Sequence, residues 1–121
     1  MTKLDTQADA HTLVVAYREA ALGHGLGTES GDYRRANRHH DTVAAIYREL
    51  RRRGPEAQRE LLPLLDDISP YVRAWAAAHA LDFAPDRGEP VLQRLAVGSG
   101  VVRLTAEATL KEWRNGSLSF P

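Results

Sequence analysis

Leu61-Leu62-Pro63-Leu64-Leu65-Asp66-Asp67-Ile68-Ser69-Pro70-Tyr71-Val72-Arg73, continued by Ala74-Trp75-Ala76-Ala77-Ala78-His79-Ala80-Leu81-Asp82-Phe83, decides the fold. Moved thirty positions along the chain, its Leu62, Leu65, Val72, Arg73, Ala76, Ala78 and Phe83 fall on Leu92, Leu95, Val102, Arg103, Ala106, Ala108 and Trp113. A period of that length with helical apolar spacing is the mark of stacked helical hairpins, in which each unit buries its neighbour's apolar face. Such a repeat dictates architecture and carries no chemistry of its own.

Working outward, Ser69-Pro70 is an N-cap followed by a proline at the first helical position. The helix it opens carries Val72, Ala76, Ala80 and Phe83 on its inner face, and its alanines allow a neighbouring helix to come close. Before it, Pro55 to Asp66 is expected as a helix bent at Pro63, because proline removes a backbone donor and crowds the preceding turn. After it, a helix from Pro85 takes Val91, Leu92, Leu95 and Ala96, with Pro90 tolerable only inside the first turn. Gly98-Ser99-Gly100 breaks it. A last helix, from Val101 to about Arg114, ends at Asn115-Gly116 in a left-handed cap.

Toward the N-terminus, Leu13, Ala16, Tyr17, Ala20 and Ala21 form the stripe of an amphipathic helix from about Asp5 to Leu22. Gly23-His24-Gly25-Leu26-Gly27 is expected to stop it as a flexible linker, since glycine costs about 1 kcal/mol against alanine inside a helix. A longer helix follows from about Ser30 to Arg53, with Ala36, Val43, Ile46, Tyr47 and Leu50 on one face and arginines on the other. The expected fold is all-α: about six helices in a right-handed stack of hairpins. One domain spans 1–121, with 1–53 a capping helix pair, 54–84 a first repeat unit and 85–116 a second, degenerate one.

The run from Leu61 to Arg73, followed by Ala76 to Leu81, resembles a HEAT repeat. That resemblance implies a first helix ending in an aspartate-containing turn, and a clasp between Arg73 and Asp67. The second copy departs from the pattern, because Gly98-Ser99-Gly100 replaces the acidic turn and leaves Arg103 without that partner. The segment Leu50 to Gly116 also resembles a small bacterial domain family of unknown function with a HEAT-like fold, which implies a fold and no activity, cofactor or catalytic residue.

The 121 residues contain no cysteine, which excludes a disulfide framework, a thiolate metal site and a cysteine nucleophile, and points to a cytoplasmic setting. No signal sequence is recognisable in the first thirty residues, and no apolar run approaches the roughly 20 residues that span a bilayer. Sixteen basic and sixteen acidic residues cancel, so no whole-molecule field draws the chain to nucleic acid or anionic lipid. Fourteen arginines against two lysines, with eighteen alanines, have the look of codon bias in a GC-rich bacterium.

His39-His40-Asp41 is the one sequence cluster of metal-ligand type, but adjacent helical side chains diverge by about 100° and do not share an ion. His40 has Ala36 and Ala44 at the spacing a ligand needs, and His39 has Arg35 and Val43. A solvated or partly packed pair is expected, and no metal or cofactor. Catalysis has no nucleophile, base and orienting group in recognisable spacing, and no phosphate-binding glycine motif is present.

Two surfaces remain. Tyr71, Trp75, His79 and Asp82 make a second stripe on their helix, expected to be buried against the preceding helical layer; where it is exposed, Tyr71, Trp75 and His79 are the candidate contacts for another protein. Between Asp32 and Arg53, seven arginines against three acids leave a local charge of +4. Arg34, Arg38, Arg48 and Arg52 are candidate phosphate contacts on one ridge. The expectation is a non-enzymatic protein-binding module, an antidote or adaptor holding one bacterial protein, with nucleic-acid contact through the arginine helix as the alternative.

Overall fold

The Asp9 carboxylate accepts the Thr12 N–H at 2.7 Å and opens the first helix, α1 (Ala10–Ser30). In this computed structural model, which describes residues 4–120, every regular element is helical, as the sequence predicts. The described chain divides into two compact units, Met1–Glu60 and Leu61–Pro121. The division falls within the segment 54–84 expected as one repeat unit.

The first unit corrects the reading of the glycines. Helix α1 does not stop at Leu22 but runs unbroken through Gly23, Gly25 and Gly27 to Ser30, and all three glycines are buried. Packing explains it. A side chain at Gly23 would enter the His39 imidazole, and one at Gly27 would stand 3.1 Å from the Ala36 nitrogen and 3.2 Å from the Asp32 carbonyl oxygen. The bare backbone lets α1 press against α2 (Tyr33–Arg53), and that close packing offsets the helix penalty of about 1 kcal/mol per glycine. The stop comes at Gly31, whose φ of 81° lets its N–H reach the Thr28 carbonyl while the Asp32 N–H reaches that of Gly27. Asp32 then caps α2, accepting the Arg35 N–H at 3.1 Å.

Helix α2 buries Ala36, Val43, Ile46, Tyr47 and Leu50, the face read from the sequence. Tyr17 of α1 is fully buried with them, and burial, with Tyr47 close by, pushes its hydroxyl well above the ordinary tyrosine range. A short helix α3 (Pro55–Arg59) packs back on α2, where Gln58 Nε2 donates to the Tyr47 hydroxyl at 3.0 Å in a buried hydrogen bond.

Pro63 breaks the segment from Pro55 to Asp66 rather than bending it. A proline at 63 has no N–H for the carbonyl of residue 59 and its ring crowds that carbonyl, so α3 ends at Arg59. The chain resumes in the second unit as a tighter 3₁₀ helix, Leu62–Asp66. Ser69 then caps α4 (Pro70–Phe83), which buries Val72, Ala74, Ala76, Ala77, His79, Ala80 and Leu81. The turn before it is clasped by Arg73, whose guanidinium donates to the carbonyls of Asp67 (2.8 Å) and Ile68 (3.3 Å), while the Asp67 carboxylate accepts the Ser69 N–H at 2.9 Å.

Helix α5 (Pro85–Ala96) crosses α4 closely: a β-carbon at Gly88 would meet the Ala77 carbonyl oxygen at 2.6 Å and the Ala80 β-carbon at 3.0 Å. The alanine-rich face of α4 is thus the approach surface the sequence predicts. Pro90 lies inside α5, beyond the first turn where it was expected to be confined. The carbonyl it leaves unbonded belongs to Asp86, in the exposed opening turn where water can replace the missing donor. Helix α6 (Gly100–Arg114) buries Ala106 and Leu110. It ends as expected at Gly116, whose φ is 75° and whose N–H meets the Trp113 carbonyl. Arg103, left without a turn aspartate, pairs with Glu107 at 3.2 Å.

The thirty-residue correspondence is closest in α4 and α6, where Ala76 and Ala106 are both buried, as are Ala80 and Leu110. It fails in the helices before them, a five-residue 3₁₀ helix against the twelve residues of α5.

Candidate functional site

On α4 the stripe predicted for protein contact is only partly at the surface. Tyr71 and Trp75 are half-buried and His79 is buried at 9% exposure. Their i,i+4 spacing brings the Trp75 and His79 rings to a centroid distance of 5.8 Å at a tilt of 35°. The histidine is therefore a packing partner of the tryptophan, and the partly exposed Tyr71 and Trp75 are what the stripe can offer.

Helix α2 exposes Arg34, Arg38, Arg48 and Arg52. Their spacing puts them on one ridge, which Asp41 interrupts. Arg52 stands apart from the other three. Its Nε and terminal nitrogen meet the two carboxylate oxygens of Glu49 at 3.0 and 2.7 Å, and Arg53 Nε adds a third bond at 2.7 Å. These bonds hold the Glu49 carboxyl down to about 2, although the side chain is only 6% exposed. Arg53 also donates to the Thr6 carbonyl at 2.7 Å, so this cluster ties the segment before α1 to the end of α2.

Local spacing misses the placement of the histidines. His39 packs on Gly23, and His24 of α1 faces His40 of α2 with ring centroids 5.9 Å apart. Burial, followed by the charges of His40 and His39, holds His24 below the ordinary histidine range. The signal lay in Gly23-His24 itself, which only becomes readable once the glycines are taken as a helix seam. Among the described residues no group of three or more His, Cys, Asp or Glu converges as metal ligands.

Exposed apolar side chains were also missed. Val97 is 85% exposed, and Val101 and Leu104 follow it on the side of α6 opposite Ala106 and Leu110. Ile68, 88% exposed, projects from the turn that Arg73 clasps. Its signal was an isoleucine within an Asp-Ile-Ser-Pro turn, where apolar periodicity gives it no buried position.

Among the described residues these features define an all-helical protein with six α-helices, none of them long and apolar enough to cross a membrane. No family model matches the chain, and no curated protein matches it. Among solved structures it is similar to the protein RPA1889 from Rhodopseudomonas palustris CGA009, at 24% identity over 97% of this chain and 98% of that one, with a TM-score of 0.89. At that identity the likeness is one of fold, shared with a bacterial protein.

Proposed function

We propose that the chain is a non-enzymatic module of HEAT-like helical repeats that binds another protein. The observation that carries this reading is the exposure of three apolar side chains within eight residues, Val97 at the end of α5 and Val101 and Leu104, one helical turn apart, on α6. Neighbouring exposed apolar side chains cost solubility and mark contact surfaces in soluble proteins. In the same unit, Ile68 stands out from a turn held by three hydrogen bonds, so it is presented without needing to be ordered on binding. Tyr71 and Trp75 are of the residue types that anchor protein interfaces, and both are partly exposed.

The test is a pull-down from the source organism at low and high salt, comparing wild type with Val97→Asp/Leu104→Glu and Tyr71→Ala/Trp75→Ala, each first checked for folding. A protein retained at high salt by wild type and lost by either variant, then rebound in purified form, supports the reading. Equal capture by all three proteins defeats it.

A second reading follows from the exposure of Arg34, Arg38 and Arg48 on one side of α2. Three guanidinium groups spaced along one ridge suit the successive phosphates of a nucleic-acid backbone, and binding through them would release counterions. That reading expects affinity for nucleic acid to fall steeply with salt and to drop in Arg34→Ala/Arg38→Ala/Arg48→Ala. Salt-insensitive or absent binding excludes it.

A further inference from the structure

Three of the five histidines gather where α1 meets α2. Along α2, His40 has only Ala36 and Ala44 at ligand spacing, yet the second imidazole arrives from the facing helix. The rings of His24 and His40 lie with centroids 5.9 Å apart and planes tilted by 52°. Two imidazoles on one ion, each bound through a ring nitrogen at about 2.0–2.1 Å, hold their ring centres on the order of 5–6 Å apart. We propose that His24 and His40 form a two-imidazole binding site for a late first-row divalent metal ion, with Asp41 orienting His40.

Two features of the site suit that chemistry. Asp41 Oδ1 stands 3.7 Å from His40 Nδ1, longer than a hydrogen bond but near enough that a small side-chain rotation would let the carboxylate accept the Nδ1–H, the arrangement that fixes a ligating histidine and raises its basicity. The His40 side chain is 54% exposed and His24 half-buried, so an ion has a route in and a partly desolvated seat. His39 takes no part, because its ring is packed against the Gly23 backbone.

Imidazole pairs select Cu²⁺, Ni²⁺ and Zn²⁺ over Mg²⁺ and Ca²⁺, which prefer oxygen. Two protein ligands leave the other positions to water, so the ion is exchangeable. Bound there, it would clip α1 to α2 at the glycine seam. The inference is independent of the protein-binding reading, since it concerns the first unit alone.

The experiment uses the untagged full chain, titrated with Zn²⁺ by calorimetry and followed by thermal unfolding, with Mg²⁺ as control. Wild type is expected to bind one Zn²⁺ saturably and to melt higher, with no response to Mg²⁺. His24→Gln and His40→Gln should each weaken Zn²⁺ binding about tenfold or more, and Asp41→Asn about tenfold. His11→Gln, at an exposed position of α1, should bind as wild type does. Absence of saturable Zn²⁺ binding by wild type, or unchanged affinity in His24→Gln or His40→Gln, overturns the proposal. Should those variants not fold, Ni²⁺ added to wild type decides by NMR. Paramagnetic broadening centred on the His24 and His40 ring protons supports the site, and broadening centred on His11 or His79 overturns it.

Discussion

Gly23 of α1 and His39 of α2 occupy one another's space: a β-carbon at Gly23 would lie 2.6 Å from His39 Cδ2, and the ring closes on the bare backbone. The pair is coupled, so its two substitutions should not be additive. Gly23→Ala alone forces the His39 ring to turn aside and is expected to destabilise the protein by about 1 kcal/mol, the low end of the cost of overpacking, because a side chain can give way. In Gly23→Ala/His39→Ala the clash is gone and alanine's helix propensity, worth about 1 kcal/mol, is realised. Urea unfolding of the four proteins in the cycle checks this, and additive effects would contradict the packing described.

Gly88 makes a second close approach, with less room to relax, because the nearest atom to a β-carbon there is the Ala77 carbonyl oxygen at 2.6 Å. Backbone of α4 cannot rotate aside as a side chain can. Gly88→Ala is expected to lower stability by about 1–3 kcal/mol despite the better helix former, read from the urea midpoint. A gain in stability would mean that α4 and α5 lie further apart than the structure has them.

These two glycines also mark where the sequence stopped being readable. Helix boundaries set by local chemistry were legible: Ser69-Pro70 opens α4, Asn115-Gly116 closes α6, and the buried faces of α2 and α4 follow helical spacing. What failed depended on a partner helix. Gly23 and Gly27 look like breakers until α2 is laid against them, and His40 lacks a ring partner until α1 supplies His24. Pro63 is legible as a disturbance, and the structure shows it severing the helix where the sequence leads one to expect a bend. The candidate surfaces were legible by residue type and not by exposure. Periodicity placed Tyr71, Trp75 and His79 on one stripe, yet only the fold buries the last of them.

Tyr47 and Gln58 join α2 to α3 by a hydrogen bond wholly inside the first unit, 3.0 Å from Gln58 Nε2 to the Tyr47 oxygen. Tyr47→Phe keeps the ring's packing and removes the acceptor, leaving a buried amide N–H without that bond. The expected loss is about 1–3 kcal/mol, the cost of an unsatisfied buried donor. Gln58→Leu in the same background replaces the stranded amide with an apolar group and should recover part of it. Equal stability of wild type and Tyr47→Phe in denaturant melts would show that the bond contributes nothing net.

Glu49 gives the acid limb of stability a specific origin. Its carboxyl, held to about 2 by hydrogen bonds first from Arg52 and then from Arg53, ionises in the folded chain well below the ordinary glutamate value of 4.5. The unfolded chain therefore binds the proton more readily than the folded one, and protonation favours unfolding. The carboxylate's contribution is complete above pH 4.5 and is lost as the pH falls from there through about 2. Glu49→Gln removes the charge at every pH, so it should be less stable than wild type at pH 7 and converge with it near pH 2. It should also loosen the Arg53 contact to the Thr6 carbonyl, seen as faster amide exchange in the segment before α1. Urea midpoints of both proteins between pH 7 and pH 2 check the first expectation, and a constant gap across that range would place the acid sensitivity elsewhere.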